Sequence, residues 1–439
     1  MTTERITELI NIIENRQSHY SELRAIAAGA LPSIWGDWRH YEPAGSIASD
    51  ITSVLEASLV GRVDLRVDPD DPVSDQLITL LYNRHLHPLV REATRDYIIC
   101  GWGGVTMTPW GPARLKPEHA VAGKDWYLRR YELDVKSARQ RYGKRRVFDG
   151  RTGDILLVET LEDGRLQVRF GDAVVFSQPW DYEPRLLIGE ERPKLVDNSL
   201  HGAPISIIEA CRDLFIDHHI LRSMITRRAA MAGLVQVVSS QLEDPQSADN
   251  IARRWDTVLV RDGSAVFPLD QRSLAELMAI QQQIEQSISA RSGVSLFQRG
   301  ISDPHIQTAT EAALMQSQNN TRLVYLQSYV RDWLNDCVSD YRRYLVNLPD
   351  AELEYIEFPY NGSTQYFGAG RHYSEALAGR QVSVALSGYR DIAQRQQEVM
   401  ALLPVLQQSG ADVRPLLEEL IRLSGRDPKL YLEQQGVQQ

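Results

Sequence analysis

Lysine is scarce in this chain: six residues in 439, against forty-two arginines. Cysteine is scarcer still, with Cys100, Cys211 and Cys337 more than a hundred residues apart. No Cys-x-x-Cys pair exists, which excludes a zinc ribbon or a disulfide framework and fits a reducing compartment. No run of eighteen apolar residues occurs, so no segment reads as a membrane span. The start, Met1-Thr-Thr-Glu-Arg5, lacks the basic-then-apolar run of a secretion signal, and the expectation is a soluble intracellular product. Positive charge is also short. Acidic residues outnumber basic ones 58 to 48, a formal net charge of −10. That excludes a protein that grips nucleic acid with its whole surface, which needs excess cation to displace counterions. The arginine bias has two readings: extensive protein–protein interface, where guanidinium pairs well when desolvated, or a GC-rich coding sequence.

Catalytic signatures are missing too. The sole glycine-rich turn, Gly101-Trp-Gly-Gly104, follows a helix and precedes a strand. A phosphate cradle needs the opposite order, and the Lys-Ser/Thr of a P-loop is absent. There is no Gly-x-Ser-x-Gly elbow and no cysteine–histidine context for a nucleophile. No cofactor is implied.

What is present is periodicity. Residues 3–28 read as an amphipathic helix through Ile6, Leu9, Ile10, Ile13 and Leu23. A short helix over 46–60 leads to the alternating strand Val63–Val67. Asp68-Pro-Asp-Asp-Pro72 is a turn that caps a long helix over 73–100. The glycines at 101–104 then release a strand, Val105 to Trp110. From 126 to 195 the pattern becomes β-rich: a strand at Tyr127–Tyr131, a short helix over 134–142 closed by Gly143, then alternating runs Ile155–Leu161, Leu166–Phe170 and Ala173–Phe176. Asp149-Gly150, Asp163-Gly164 and Gly171-Asp172 punctuate these as hairpin signals.

Helix dominates after 205. Ser206-Ile-Ile-Glu209 is a capping box opening a helix with Ile207, Cys211, Leu214, Phe215, His218, Leu221 and Ile225 on one stripe. Gly233 ends it. Residues 234–271 form a compact insert with strand-like Leu234–Val238, a helix-like 244–254, and Thr257–Val260 and Ala265–Phe267 about the turn Asp262-Gly263. A second capping box, Ser273-Leu-Ala-Glu276, opens a helix with Leu277, Ile280, Ile284 and Ile288, closed at Gly293. A polar segment, 300–307, precedes a helix over 309–346, about 57 Å long at 1.5 Å per residue. Its stripe is Leu323, Leu326, Val330, Leu334, Cys337, Val338, Tyr341 and Leu345. Strands at 353–358 and 381–386 flank a glycine- and aromatic-rich loop. Helices near 391–408 and 412–424 and a frayed end complete the chain.

The one metal-like cluster is Asp213, Asp217, His218 and His219. Such residues hold paired metals in some phosphoesterases, so a metal-dependent nuclease or phosphoesterase is the rival function. Here they lie mid-helix, where neighbours diverge by about 100° and do not converge on one ion, so a packed or interfacial His218 is expected. A helical scaffold forming another kind of oligomer is a third possibility. Six of the eight tryptophans fall in the first 180 residues; without an interleaved basic run they read as buried or interfacial anchors. Arg141-Tyr-Gly-Lys-Arg-Arg146 is the one basic cluster and reads as a surface or subunit-contact patch.

The order of elements is the informative feature. Two capped helices bracket an insert of under forty residues, and a polar loop leads into a very long helix carrying His305-Ile-Gln-Thr-Ala-Thr-Glu311. With Asp96-Tyr-Ile-Ile-Cys-Gly-Trp-Gly103, Arg129-Arg-Tyr-Glu-Leu-Asp-Val-Lys136 ending at Tyr142-Gly143, Arg299-Gly-Ile301 and Thr308-Ala-Thr-Glu-Ala312, this resembles the portal protein of tailed bacteriophages, especially short-tailed ones. The resemblance covers essentially the whole chain. It implies an α+β portal fold: a mixed α/β wing (1–205 and 309–386), two stem helices (206–233 and 272–298), a small α/β clip (234–271), a tunnel loop (299–308), a long tunnel-lining helix and a short helical crown (387–439). It further implies a virion component, not an enzyme: a homo-oligomeric ring, usually of twelve subunits, at one capsid vertex. Such a ring meets the large terminase, a head–tail adaptor, capsid and scaffolding proteins, and the double-stranded DNA that passes through it. On that plan Arg299, Ser302, His305 and Gln307 are the candidate channel contacts. Arg253, Arg254, Asp256 and Arg261 of the clip are candidates for docking terminase and then adaptor. No metal site is implied. Twelve copies would carry roughly −120, which suits a conduit that must not hold phosphate tightly.

Overall fold

A computed structural model describes residues 1–29, 47–61, 63–68, 71–143, 145–191, 204–231, 236–238, 265–267, 271–294, 309–360, 363–368 and 370–386. The architecture is α+β, with helices packed against several antiparallel sheets.

Helix α1 (Thr3–Ala27) starts where the Thr2 side chain accepts the Arg5 amide, and it buries Ile6, Leu9, Ile13, Tyr20 and Leu23. Helix α2 (Ile47–Val60) leads into strand β1 (Val63–Asp68). Asp71 then caps α3 (Pro72–Leu81), with proline at the first position, where no amide is needed. The expected single helix over 73–100 is interrupted: one π turn, Tyr82–Leu86, separates α3 from α4 (His87–Cys100). Gly101 ends α4 in the left-handed region at φ 86°, which favours glycine.

Strand β2 (Trp102–Thr108) begins three residues before the expected Val105 and stops short of Trp110. Gly103 therefore belongs to the strand, not to a turn. A Cβ there would sit 2.1 Å from the Ala93 carbonyl oxygen, so glycine is what lets β2 lie directly on α4. β3 (Gly111–Leu115) and β9 (Arg185–Ile188) flank β2 in a three-stranded sheet.

Strands β4 (Ala120–Ala122), β5 (Tyr127–Asp134), β6 (Asp154–Glu162), β7 (Arg165–Phe170) and β8 (Ala173–Pro179) make a five-stranded meander in chain order. The β6–β7 turn uses Asp163 and Gly164, both at positive φ (52° and 67°), the mirror-image turn whose twist matches paired strands. Asp149-Gly150, in contrast, makes no hairpin. It follows α5 (Val135–Tyr142) and a 3-10 turn, Arg146–Phe148, so no strand precedes it. Helix α5 and Phe148 cover one face of the meander through Val135, Ala138 and Tyr142, while α1 packs Ile6, Leu9 and Ile13 against Val121 and Leu128.

A two-stranded ribbon, β10 (Glu190–Glu191) with β11 (Pro204–Ile205), precedes the helix opened by Ser206. That helix breaks at Cys211 into α6 (Ile207–Ala210) and α7 (Arg212–Met231). In the insert, β12 (Gln236–Val238) pairs antiparallel with β13 (Ala265–Phe267); the helix-like 244–254 and Thr257–Val260 lie outside the described residues. Helix α8 (Gln271–Ser292) starts two residues before the expected Ser273, and Gly293 at φ 74° follows it.

Helix α9 (Ala309–Val346) is 38 residues long, with the expected bounds. Every position of its predicted stripe, from Leu323 to Leu345, is buried. After it, β14 (Ile356–Tyr360) overlaps the strand expected at 353–358, shifted towards the C-terminus, and pairs in a hairpin with β15 (Ser363–Phe367), which lies where a loop was expected. Past α10 (Ser374–Leu377), β16 (Gln381–Leu386) returns to pair antiparallel with β1, so a strand from the chain's first seventy residues and one from beyond 380 complete each other. One core cluster runs through α1, α2, α3, α4, β2, α6 and α9. The helices expected near 391–408 and 412–424 lie outside the described residues.

Candidate functional site

The residues with chemical potential fall into two constructions: a helix pair, α7 with α8, and a frame of buried ion pairs in the body of the protein.

The pair is antiparallel. Arg291 of α8 donates to the Ala210 carbonyl near the start of the pair (3.3 Å), while His218, eight residues on, meets Glu285, six residues back (2.9 Å). His218 is 5% exposed. Gln281 donates to the same Glu285 oxygen at 2.9 Å and lies 3.3 Å from the imidazole. A buried imidazole needs a partner, and the facing helix supplies one, so this trio fixes the register of the two helices. Cys211 leaves helical geometry (φ −108°, ψ 4°) between α6 and α7. Polar contacts surround this joint: the ion pair of Arg212 with Glu22 at 2.5 Å, and His19 with Glu209 at 3.1 Å, both reaching α1.

The metal-like cluster does not assemble. Asp213 and Asp217 are exposed, His218 is turned into the helix interface, and Asp213 faces Arg212 at 3.7 Å. Among the described residues no group of three or more ligand-type side chains could hold an ion. Helical divergence, visible in the sequence, is the cause.

The frame centres on Asp96, whose carboxylate has no solvent exposure. Arg24 of α1 meets it at 2.5 Å and Arg114 of β3 grips it with two nitrogens at 2.6 Å. Arg24 also holds Glu118, and Arg114 holds Glu92, so five side chains from three elements and a turn share one network. Arg129 makes a bidentate pair with buried Glu159 (2.7 and 2.9 Å), joined by the Tyr127 hydroxyl at 2.7 Å. Burial first, then the neighbouring Glu159 charge, pushes the Tyr127 phenol well above its usual range. Arg185 of β9 meets Asp340 of α9 at 2.6 Å. The Tyr329 hydroxyl of α9 accepts the Ile188 amide and donates to the Ile188 carbonyl (3.2 Å each), covering the free edge of β9.

The three cysteines are buried and form no disulfide. Burial pushes Cys100 up to about 12 and Cys337 well above its ordinary value, so neither offers a thiolate at neutral pH. Trp102 donates to the Tyr20 hydroxyl (3.2 Å) and Trp180 to the Met107 carbonyl (2.8 Å), the anchoring role expected for these indoles.

Arg299, Ser302, His305 and Gln307, and Arg253, Arg254, Asp256 and Arg261, lie outside the described residues. Glu285, Gln281 and Asp340 carry roles that sequence reasoning missed. Asp96 carried a signal: it shares a helix with Ala93, Tyr97 and Cys100, where an acidic residue among apolar neighbours implies a cationic partner.

No protein-family model matches this chain. No curated protein matches its sequence. Among solved structures, a chain from the neck of an empty gene transfer agent particle, computed with C6 symmetry, matches at a TM-score of 0.40 and 12% identity, covering 87% of this chain and 94% of that one. That likeness fixes neither family nor function.

Proposed function

We propose that the chain is the portal protein of a tailed-phage-type particle: a ring-forming subunit whose assembled channel passes double-stranded DNA into a capsid and out again. The carrying observation is the succession of elements from 206 to 346. An antiparallel helix pair, joined to the body at Cys211, brackets the ribbon β12–β13, and the 38-residue α9 follows. A paired helix arm carries a small insert at the end away from Cys211, and a long helix held through Asp340, Tyr329 and Leu334 gives the body a rigid element.

On this proposal α7 and α8 are the stem, 234–271 the clip, 299–308 the tunnel loop and 387–439 the crown. The wing is 1–205 with 309–386, a division that the β1–β16 pairing supports because it ties the two segments together. Arg299, Ser302, His305 and Gln307 face DNA in the channel. Arg253, Arg254, Asp256 and Arg261 dock terminase during packaging and a tail adaptor afterwards. Apolar surface on the arm supports self-association: Met278 and Ile280 of α8 are 51% and 44% exposed on a helix that already buries Ile288. Arginine-rich subunit contacts fit the forty-two arginines.

Negative-stain imaging of the purified protein tests the core of this: rings with a central hole are expected, and monomers or dimers at high concentration would sink it. Deleting 300–307 tests the loop; particles that assemble and package normally would remove the tunnel-loop assignment.

A further inference from the structure

Most arginines described above meet a carboxylate. Those around α5 do not. Lys136, Arg139, Arg141, Arg145, Arg146 and Arg151 lie on α5 and the turn that follows it, and among the described residues no carboxylate stands within ion-pair distance of any of the six. Their partners are neutral. Arg139 donates to the Phe148 carbonyl (2.5 Å), Arg145 to the Tyr142 carbonyl (3.3 Å) and Arg151 to the Val147 carbonyl (3.1 Å). Arg141 stacks over Trp110 at 5.2 Å and Arg151 over Phe170 at 4.7 Å. Of the two acids in this stretch, Asp134 spends its carboxylate on the amides of Lys136 and Ser137, and Asp149, exposed in the turn itself, offsets at most one of the six charges. Five of the six cations are exposed and Arg139 is half-buried.

Rings and carbonyls orient a guanidinium without neutralising it. The result is a set of pre-positioned, uncompensated cations on a chain of net charge −10. Charge elsewhere does not cancel this field, because screening cuts exposed interactions off beyond about 8 Å at physiological salt. Helix α5 alone spans about 12 Å. No large apolar side chain is exposed between Val135 and Arg151 among the described residues, so the face lacks the aromatic or aliphatic anchor on which protein interfaces depend.

We propose that this face binds the phosphate backbone of duplex nucleic acid, without sequence preference. The arginine fork matches phosphate oxygens bidentately, and a face on which cations outnumber neutral polar side chains such as Ser137 and Gln140 favours backbone contacts over base readout. The site lies outside the segments assigned to the channel and does not require a ring: absence of rings would overturn the portal proposal and leave this one standing, and the reverse holds for absence of DNA binding.

The test is fluorescence anisotropy with a labelled 30-base-pair DNA duplex on the full chain, titrated at several sodium chloride concentrations. Binding at low salt is expected, weakening with salt by a log–log slope near −0.9 per phosphate contacted. Arg141→Gln/Arg145→Gln/Arg146→Gln should lower affinity at least tenfold and flatten the slope by about 2 to 3 units. Lys136→Gln/Arg146→Gln, which disturbs no ring contact, should flatten it by about 1 to 2 and guards against a folding defect in the triple variant. Arg84→Gln, at an exposed arginine already paired with Glu354, should change nothing. No binding at low salt, or unchanged affinity and slope in both patch variants, would overturn the proposal. So would patch variants that alter sedimentation while DNA binding stays intact, which would make the face a contact for an acidic protein.

Discussion

The arginines on Asp96 and those on α5 are the same side chain put to opposite uses. Arg24 and Arg114 are drawn around a carboxylate with no solvent exposure, and each also holds a second acid. Arg141 and Arg151 lie over aromatic rings and keep their charge unspent. The difference teaches that an arginine count says little about function until each guanidinium's partner is known. Paired and buried, it is part of the scaffold; stacked and unpaired, it remains available.

Removing acids or cations at graded depth should expose the contrast. Asp96→Ala leaves two guanidiniums facing each other without their shared anion, and should cost about 3–5 kcal/mol in urea unfolding, the usual result of breaking a buried pair from one side. A loss below about 1 kcal/mol would mean the frame is not structural. Asp71→Asn comes next. Burial works against the Asp71 anion, but the Ser74 hydroxyl, the Val73 and Ser74 amides and Arg380 outweigh it, and its carboxyl sits below the ordinary 3.8. The stabilisation is therefore complete above the unfolded value and is lost as pH falls through the lower folded value. Asparagine caps about as well as aspartate, so the loss is that of the charge beside Arg380 and the helix N-terminus: about 0.3–1 kcal/mol at neutral pH, converging in strong acid. A difference that persists in thermal melts at low pH would contradict this. Arg84→Ala, at a pair whose members are 57% and 44% exposed, should cost at most about 1 kcal/mol. The smallest effect belongs to the patch: Arg141→Gln/Arg145→Gln/Arg146→Gln should leave stability within about 0.5 kcal/mol per site, measured by the same denaturation, while it changes DNA binding. Strong destabilisation would reassign those cations to the scaffold.

Local pattern makes much of this legible in the sequence, and distance hides the rest. The α9 stripe can be read because a 3.6-residue period persists through Leu323, Val330, Leu334, Cys337 and Tyr341, all buried. Asp71-Pro72 and Asp163-Gly164 announce a cap and a turn in two residues each. The early start of β2 is not announced, because Gly103 answers to the Ala93 carbonyl on another element. The first strand of the β14–β15 hairpin is legible, but its partner β15 hides in a glycine- and aromatic-rich stretch that reads as loop. In the candidate site, helical period alone predicts that Asp213, Asp217, His218 and His219 diverge. That His218 would find Glu285, 67 positions away, needed the packing of α7 on α8. Likewise Asp96 gathers arginines 72 and 18 positions away, and nothing in any one segment names them.

The π turn at Tyr82–Leu86 has a consequence for how this chain can change length. Along α3 and α4 the buried side chains Leu77, Ile78, Leu81, Tyr82, Leu86, Val90, Ala93 and Tyr97 share one face; Tyr82 keeps an interval of four to Leu86, while Leu81 and Leu86 are five apart. The wider turn absorbs that extra position and leaves Asn83, Arg84 and His85 together at the surface, where the last two both grasp Glu354. Excising one of those three residues should bring that interval back to four and the turn back to an ordinary α-helix, with Asn83 the choice that spares both contacts to Glu354. The helix thus carries a splice point, a place where the chain can shorten by one codon without rethreading its core.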